Sequence, residues 1–453
     1  MSTKVERALK AASETKDLLM GSNVLDKVPE LFKKYFAGHT AVVVADQITY
    51  EVAGKEVVEL LKASGINQEP VFIFTDPELY AEYSFVEQLS KSLATHNAIA
   101  VAVGSGTIND LAKLASHQNG REYMCVATAA SMDGYTAFGA SITADGAKQT
   151  FNCPAPKVCV ADIEIIRNAP TEMTASGYAD LFAKITAGAD WILADRLGVE
   201  PIDDQAWSIV QDGLHDALSD PKGVHEGDAK AVFELISGLM LGGFAMQWSK
   251  SSRPASGAEH QFSHLWNMEH HTNNGEHISH GFQVAIGTLA ITALYEEILK
   301  YPFDQLDIEA CCAAWPSPEV LEKESRELFK GTDFPEIGDQ ETKAKYIDAE
   351  ALAKQLQLLK ANWTEIREKL KAQMVPFNEA KNRLKMVGAP YEPEHIGVTK
   401  EYLKNTFVRA QYIRRRFTVL DLLIRTNTLD FFLDKLFGKN GVWALEENKV
   451  LSE

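Results

Sequence analysis

The pattern of apolar and polar positions changes about one third of the way along the chain. Before that point, short continuous apolar runs alternate with segments of helical spacing; the runs are residues 40–46, 71–75, 98–103, 123–127 and 157–161. Such runs, joined by helices, are typical of parallel strands that are covered on both faces. A hairpin-like stretch with Asp145-Gly146 as its turn precedes the last run, which we expect to close the sheet.

From about Pro170 onward the apolar residues recur with a period of 3.6. The segments that show this stripe are residues 174–197, 228–250, 281–300, 349–374 and 399–437. We therefore predict two domains: an α/β domain with a parallel sheet over residues 1–168, and an all-helical domain over residues 169–453.

Composition narrows the class of function. The 453 residues are 45% hydrophobic and 24% charged, as in globular enzymes, and the net charge is −18. A strongly acidic protein lacks the basic face that nucleic acid or an anionic membrane requires. No uninterrupted apolar run approaches the length of a membrane span, and the five cysteines show no disulfide or zinc-knuckle spacing. We expect a cytoplasmic protein that acts on a small molecule.

Three segments carry residues suited to a metal site: Asp180, the stretch Glu259–His264, and His277–His280. His260 and His264 are four residues apart and so share one face of a helix, and His280 lies near the start of another predicted helix. One carboxylate with two imidazoles leaves a divalent cation an open position, as in catalytic sites. A histidine-rich surface turn explains the same residues about equally well.

A second candidate site follows the third predicted strand. Gly104-Ser105-Gly106-Thr107-Ile108-Asn109-Asp110 leads from that strand into a helix, whose first amides attract phosphate. It is not the three-glycine dinucleotide fingerprint, since Asn109 stands at the third glycine position; a tight turn explains it about as well. Asp46 ends the first predicted strand, where a ribose-binding acid or a helix cap would stand. Thr128, Ser131 and Asp133 follow another strand at the same edge.

Several motifs together resemble the sn-glycerol-1-phosphate dehydrogenase family, which groups with glycerol dehydrogenases, iron-containing alcohol dehydrogenases and 3-dehydroquinate synthase. The resemblance extends over roughly residues 25–435 and is strongest to the bacterial members. The motifs are Gly104–Asp110, Thr128–Thr136, Gly177–Leu181, Ser256–Trp266, His280-Gly281, Gly388–Gly397 and Arg415–Asp421.

The resemblance implies an active site in a cleft between the two domains of a homodimeric enzyme. It implies metal ligation by Asp180, His260 and His280, with zinc, nickel or iron as the metal. It also implies that NAD or NADP binds at Gly106–Asp110, Asp46 and Thr128, and that Asp133 and His264 contact the substrate. The expected reaction is hydride transfer between NAD(P)H and dihydroxyacetone phosphate, which yields sn-glycerol 1-phosphate.

Two departures from the family pattern bear on the substrate: Ala137 replaces a polar residue, and Phe282-Gln283 replaces an acidic and a basic one. Three alternatives therefore stay open: a dehydrogenase of an unphosphorylated polyol such as glycerol, a lyase resembling 3-dehydroquinate synthase, and a non-catalytic nucleotide-binding homologue. The cluster Arg414-Arg415-Arg416 suggests phosphate binding, but a solvated or salt-bridged helix face is the stronger expectation.

Overall fold

The computed structural model describes residues 3–144 and 147–445. Its N-terminal part contains a hairpin and one large sheet, whose strands are β1 (Asp17–Gly21), β2 (Ala41–Asp46), β3 (Phe72–Phe74), β4 (Ile99–Gly104), β5 (Tyr123–Ala127), β6 (Ala140–Ala144), β7 (Ala147–Phe151) and β8 (Val158–Asp162). Six of them form a parallel sheet in the order β1-β8-β5-β4-β2-β3. The predicted α/β class is confirmed.

The order of the strands differs from the prediction in one respect. The run at 157–161 was expected to close the sheet, but β8 lies inside it, between β5 and β1. The edge strand β1 was missed because only three of its five residues, Asp-Leu-Leu-Met-Gly, are apolar, which is too short an apolar run to stand out. Leu18 and Met20 are its buried residues, and Leu18 pairs in register with Cys159. The antiparallel pair β6-β7 is the predicted hairpin; its expected turn, Asp145-Gly146, lies outside the described residues.

The chain reverses its direction across the sheet between β2 and β4. After β2 it moves outward to β3, and it then returns to the other side of β2 to form β4 and β5. Open α/β sheets bind ligands beyond the carboxyl ends of the strands at such a switch point. Asp46 ends β2 and Gly104 ends β4, so the two segments predicted to bind a cofactor stand on either side of this point.

The α-helices of the described residues are α1 (Thr3–Ala11), α2 (Val28–Tyr35), α3 (Gln47–Thr49), α4 (Lys55–Ala63), α5 (Tyr83–Leu93), α6 (Gly106–Gln118), α7 (Ile163–Ile166), α8 (Thr171–Phe182), α9 (Lys184–Arg196), α10 (Asp204–Gln211), α11 (Leu214–Ala217), α12 (Pro221–His225), α13 (Ala229–Ser249), α14 (Ala258–Met268), α15 (His280–Ile298), α16 (Ile308–Ala314), α17 (Pro318–Leu328), α18 (Ile337–Lys345), α19 (Ala349–Gln373), α20 (Phe377–Val387), α21 (Lys400–Arg409), α22 (Val419–Arg425) and α23 (Leu429–Phe437). Two short strands, β9 (Thr272–Asn273) and β10 (Glu276–His277), interrupt the C-terminal helices.

Two long predicted helices are divided in the structure. Residues 174–197 form α8 and α9, with Ala183 between them. Residues 399–437 form α21, α22 and α23, because Thr418 and Asp421 make a capping box that starts α22 anew. The apolar stripe continues across each break, so periodicity alone did not reveal it.

The chain forms two compact units. The first comprises residues 1–182, 203–255 and 386–389, and the second comprises residues 183–202, 256–385 and 390–453. In the first unit, apolar residues of α2, α4 and the sheet, among them Phe32, Val57 and Val101, form a buried core. The domain boundary after residue 168 stays a prediction.

Within residues 3–144 and 147–445, one helix, α13, is long and apolar enough to cross a membrane by length and composition. However, 72% of its apolar window is buried inside the protein. A core helix of a water-soluble protein passes the same test, so α13 is weak evidence for a membrane span.

Candidate metal centre and cofactor site

Asp180 lies on α8, close to the loop that follows β5. A side chain at Gly177, three residues earlier, would meet the carbonyl oxygen of Ala130, since its Cβ would lie 1.9 Å away. Glycine therefore lets α8 approach this loop closely. The approach brings the backbone amide of Asp133 to Oδ2 of Asp180, to which it donates a hydrogen bond of 3.0 Å. Asp180 is fully buried, and the loop holds its carboxylate in place.

His260 is oriented by its neighbour in the sequence. Its Nδ1 lies 2.8 Å from Oε1 of Glu259 on α14. The carboxylate of Glu259 is fully buried and also accepts hydrogen bonds from the amide of Gly257, at 2.6 Å, and from Oγ1 of Thr186, at 2.8 Å. Burial alone would raise the pKa of Glu259, but the hydrogen bond and charge of His260, with the Gly257 amide, outweigh it and lower that pKa.

The pair of Glu259 and His260 has the form that metal-binding histidines usually take. A carboxylate that accepts the proton of one ring nitrogen fixes the tautomer and makes the other nitrogen a better metal ligand. With Nδ1 directed at Glu259, Nε2 is the ligand atom that His260 offers. Sequence analysis missed the role of Glu259, although a carboxylate directly before a candidate ligand is a readable signal.

His280 is the first residue of α15, where Ser279 caps the helix through a hydrogen bond to the amide of Phe282. Its Nδ1 lies 3.3 Å from Oγ of Ser263 on α14. That hydroxyl donates to Oε1 of Gln283 at 2.9 Å, and Nε2 of Gln283 donates to Oδ1 of Asn267 at 3.0 Å. Gln283, one of the departures from the family pattern, is therefore part of the network that orients His280.

The structure brings the three predicted metal ligands together. Asp180, His260 and His280 each offer one ligand atom, and these atoms lie within 4.8 Å of one another. A carboxylate oxygen and two imidazole nitrogens suit zinc, nickel or iron(II). The donor set and the orienting partners fit a catalytic divalent cation, because three protein ligands leave a position for substrate.

Asp190 on α9 ties together the start of α14 and two other helices. Its fully buried carboxylate accepts hydrogen bonds from the amide of Ala258 at 2.8 Å, the hydroxyl of Tyr295 at 2.6 Å and the amide of Val419 at 3.0 Å. Those groups lie on α14, α15 and α22 respectively, so one side chain sets the positions of the helices that carry both histidine ligands. Sequence analysis did not identify it.

His264 lies beside the histidine ligands on the same face of α14, as the four-residue spacing predicts. Its ring centroid is 6.3 Å from that of His260 and 6.4 Å from that of His280. Its Nε2 lies 3.4 Å from Nη1 of Arg414. Because a guanidinium can only donate, Nε2 is the acceptor in this contact and the neutral ring carries its proton on Nδ1.

The predicted cofactor loop is partly exposed and partly structural. Gly104 ends β4, Ser105 precedes α6, and side chains at Gly104 and Gly106 would meet Ile108 and Met132. Ser105 and Thr107 are partly exposed, whereas Ile108, Asn109 and Asp110 are buried. Asn109 accepts a hydrogen bond from the hydroxyl of Tyr123, and Asp110 accepts one from the amide of Ser141. Within the loop, Ser105 and Thr107 are therefore the residues that solvent reaches in part, and Gly104 and Gly106 are buried.

A buried lysine organises the neighbouring loop. Nζ of Lys113 donates to the carbonyl oxygens of Gly134, Ala137 and Gly139 at 2.9–3.0 Å and lies 3.5 Å from Oδ1 of Asp110. Ala137, the second departure from the family pattern, is buried in this loop. A Cβ added at Gly243 would lie 3.0 Å from the backbone nitrogen of Ala137. The loop is packed tightly at that position.

The remaining predicted residues lie at the carboxyl edge of the sheet. Asp46 caps α3, since its Oδ1 accepts the amide of Thr49 at 2.8 Å. Thr128 is buried and bonded through its amide to the carbonyl of Gly104, which brings the two loops together. Ser131 and Asp133 are partly exposed, and Ser131 Oγ lies 3.4 Å from the hydroxyl of Tyr135. Their roles toward cofactor and substrate stay predictions.

Known proteins resemble this chain in sequence and in fold. A family model described as iron-containing alcohol dehydrogenase matches residues 19–170. The glycerol-1-phosphate dehydrogenase (NAD(P)+) of Halalkalibacterium halodurans is 33% identical over 285 residues, which is 62% of this chain and 71% of that protein. The enzyme of the same name from Bacillus velezensis is 31% identical over 65% of this chain and 75% of its own length.

Among solved structures, a glycerol dehydrogenase from Schizosaccharomyces pombe superposes with a TM-score of 0.59, covering 94% of this chain and 92% of that chain at 16% sequence identity. At that identity the likeness concerns the fold alone.

Proposed function

This chain belongs to the glycerol-1-phosphate dehydrogenase family, and on that premise we propose that it transfers hydride between NAD(P)H and dihydroxyacetone phosphate, with sn-glycerol 1-phosphate as the reduced product. The observation that carries the proposal is the cluster of Asp180, His260 and His280, whose ligand atoms lie within 4.8 Å of one another. The switch point of the sheet supports NAD(P) binding by Asp46 and by the loop from Gly104 to Asp110, with Thr128 and Ser131 nearby.

When bound, the divalent cation would polarise the substrate oxygen and the nicotinamide would donate or accept the hydride. The chain's own residues prepare this chemistry. Glu259 fixes the tautomer of His260, Ser263 orients His280, and the amide of Asp133 holds the carboxylate of Asp180. These contacts preorganise the three ligands, so that little rearrangement is needed when substrate binds.

We assign Asp133 and His264 to the substrate. Asp133 is partly exposed on the loop after β5, and its backbone amide donates a hydrogen bond to the carboxylate of Asp180, so the residue stands next to a proposed metal ligand. His264 stands beside the ligand histidines and, with Nε2 accepting from Arg414, presents Nδ1–H as a donor. Through that proton His264 orients the substrate and exchanges protons with solvent.

The same proposal includes one zinc, nickel or iron ion, a homodimer and a cytoplasmic location. It also includes a functional division after residue 168, with nucleotide binding before it and metal binding after it. Metal analysis of the purified protein would identify the bound ion, and light scattering would measure the oligomeric state.

The test is an assay of NADH and NADPH oxidation with dihydroxyacetone phosphate and with dihydroxyacetone, before and after chelation and after readdition of each metal. We expect metal-dependent turnover with the phosphorylated ketone. The variant His260→Ala should lose bound metal and nearly all turnover, whereas His277→Ala, which changes an exposed histidine of β10, should keep both. Full activity of His260→Ala, or activity that chelation does not alter, would refute the assignment.

A further inference from the structure

A long acidic segment, residues 301–348, lies between α15 and α19 and contains α16, α17 and α18. None of the residues assigned above to metal, cofactor or substrate lies in it. It nevertheless contacts the chain on either side of α22. Oε1 of Glu341 lies 3.0 Å from Nη2 of Arg415, and Sγ of Cys311 lies 3.3 Å from the carbonyl oxygen of Thr426. The acidic segment is therefore attached near both ends of α22.

Lys345, the last residue of α18, attaches the acidic segment to α22 itself. Its Nζ lies 2.6 Å from Oδ1 of Asp421 and donates to the carbonyl oxygen of Gln411. The carbonyl oxygen of Lys345 accepts a hydrogen bond of 3.1 Å from Nη2 of Arg425. The side chains of Lys345 and Asp421 are only 11% and 4% exposed. Such a pair fixes one position of α18 against α22, because loss of either charge would leave the other uncompensated inside the protein.

Asp421 connects this ion pair to the first turn of α22. Its Oδ2 accepts a hydrogen bond of 2.9 Å from the amide of Thr418, which is part of the capping box that starts the helix. The next amide, that of Val419, donates to Oδ1 of Asp190 on α9 at 3.0 Å. Oγ1 of Thr418 lies 3.5 Å from Oε1 of Gln261 on α14. The start of α22 is therefore joined to α9 and to α14.

Asp190 extends the contacts to the helices that carry the histidine ligands. Its carboxylate accepts the amide of Ala258, which precedes His260 by two residues on α14. It also accepts the hydroxyl of Tyr295 on α15, the helix that His280 begins. A catalytic site requires its groups to be held within about 0.5 Å of the productive geometry. We therefore expect a shift of the first turn of α22 to disturb both histidines.

We propose that Lys345 is a positioning residue for the metal centre. Through Asp421 it holds the first turn of α22 against α9 and α14, and this fixes the orientation of His260 and His280. The acidic segment thus contributes to catalysis through the geometry of the metal ligands. This inference rests on the proposed function for the presence of a divalent metal, and on the buried contacts from α18 to α14 for the role of Lys345.

The test uses cobalt(II), because the geometry of its ligands determines its visible absorption and its binding needs neither cofactor nor substrate. Lys345→Met keeps most of the length of the side chain and removes its charge. We expect this variant to lower the affinity for cobalt by about 10-fold, as the loss of an outer partner of a metal site does, and to shift the absorption band of the bound ion. Lys345→Arg should restore part of both, since a guanidinium also pairs with a carboxylate.

Lys343→Met is the matched control. Lys343 lies on the same helix, and its ammonium is 3.3 Å from Oε2 of Glu322 in a partly exposed pair. Such pairs contribute little, so the cobalt affinity should stay within about 2-fold of wild type and the absorption band should not move. If Lys345→Met does not fold, Asp421→Asn replaces it, because asparagine lacks the charge that pairs with Lys345 but keeps an oxygen for the amide of Thr418. The same changes in cobalt binding are expected.

The outcomes separate this proposal from the proposed function. Weaker and spectrally altered cobalt binding in Lys345→Met, together with a wild type that does not oxidise NADH or NADPH with dihydroxyacetone phosphate, would support the positioning role and contradict the dehydrogenase. A lower melting temperature of Lys345→Met with wild-type cobalt affinity and absorption would overturn the positioning role, because the acidic segment would then stabilise the fold alone. A wild-type protein that binds no cobalt would overturn it as well.

Discussion

Oε1 of Glu259 lies 2.8 Å from Nδ1 of His260, the residue that follows it in the chain. Two adjacent residues of one helix thus form a carboxylate–imidazole pair, and the remaining carboxylate contacts, from Gly257 and Thr186, hold Glu259 in the protein interior. Because both residues lie on α14, the position of this helix determines the orientation of the His260 ring.

The variant Glu259→Gln tests this relationship. It preserves the volume of the side chain but removes the negative charge that supports the ring proton of His260, so we expect the affinity for a divalent metal to fall by about 10- to 100-fold. A competition titration against a chelating dye measures this metal affinity. Glu296→Gln is the matched control, because Glu296 lies on α15 and its carboxylate also accepts a hydrogen bond from a backbone amide, that of Phe377. Unchanged metal affinity in Glu259→Gln would show that this pair does not tune the site.

The five cysteines give a prediction about chemical reactivity. Burial raises the pKa of the Cys153 thiol to about 12, and Cys125, Cys159 and Cys311 are also buried, whereas Cys312 is partly exposed. Only the thiolate reacts with a disulfide reagent. We expect one fast-reacting thiol in the native protein at pH 8 and five after denaturation. Cys312→Ser should abolish the fast reaction, and a second fast thiol in that variant would contradict the described burial.

The sequence revealed those parts of the site that depend on periodicity and on chain order. The spacing of His260 and His264 predicted a shared helix face, and the apolar runs predicted the carboxyl ends where Asp46 and Gly104 lie. The orienting residues were not predicted. Glu259 stands directly before His260 and was overlooked, whereas the others act across a larger separation in the chain. Asp190 binds the amide of Val419, 229 positions away, and no local pattern marks a buried aspartate with such a partner.

The breaks in the C-terminal helices were missed for a related reason. An apolar stripe reports which face of a helix is buried, and it persists when a helix ends and another begins in a similar direction. Thr418 and Asp421 do carry the spacing of a cap, but within a long apolar stripe this signal was overlooked. As a consequence the three arginines at 414–416 were expected on a helix face, whereas they lie before α22, and Nη1 of Arg414 lies 3.4 Å from Nε2 of His264.

Asp46 gives a prediction about the choice of cofactor. In the proposed cofactor site the carboxylate of Asp46, at the end of β2, would repel the 2′-phosphate of NADP, so we expect wild type to prefer NAD. Asp46→Asn keeps an oxygen to accept the amide of Thr49 but removes the charge, and the ratio of kcat/KM with NADPH to that with NADH should rise by about 10-fold.

The control for that variant is Asp76→Asn. Asp76 follows β3 in the same sheet and also accepts a nearby backbone amide, that of Glu78, so the two variants lose the same charge from similar turns. A ratio that rises equally in both variants would point to the overall charge of the protein, and an unchanged ratio in Asp46→Asn would remove Asp46 from the cofactor site.

Gly177 tests whether the close approach of α8 to the loop after β5 positions Asp180. In Gly177→Ala the new Cβ would lie 1.9 Å from the carbonyl oxygen of Ala130, so the helix or the loop must move. Overpacking of this kind typically costs about 1–3 kcal/mol, which exceeds the gain of up to about 1 kcal/mol from the higher helix propensity of alanine. The separation would also lengthen the hydrogen bond from Asp133 to Asp180.

We therefore expect Gly177→Ala to lower both the melting temperature and the metal affinity. The matched control is Gly238→Ala on α13, where the new Cβ would meet the end of the Leu181 side chain at 2.6 Å. A leucine methyl group can move away at little cost, whereas a backbone carbonyl cannot, so Gly238→Ala should change both quantities less. If Gly177→Ala lost stability but bound metal as tightly as wild type, the ligand carboxylate would owe its position to contacts other than this loop.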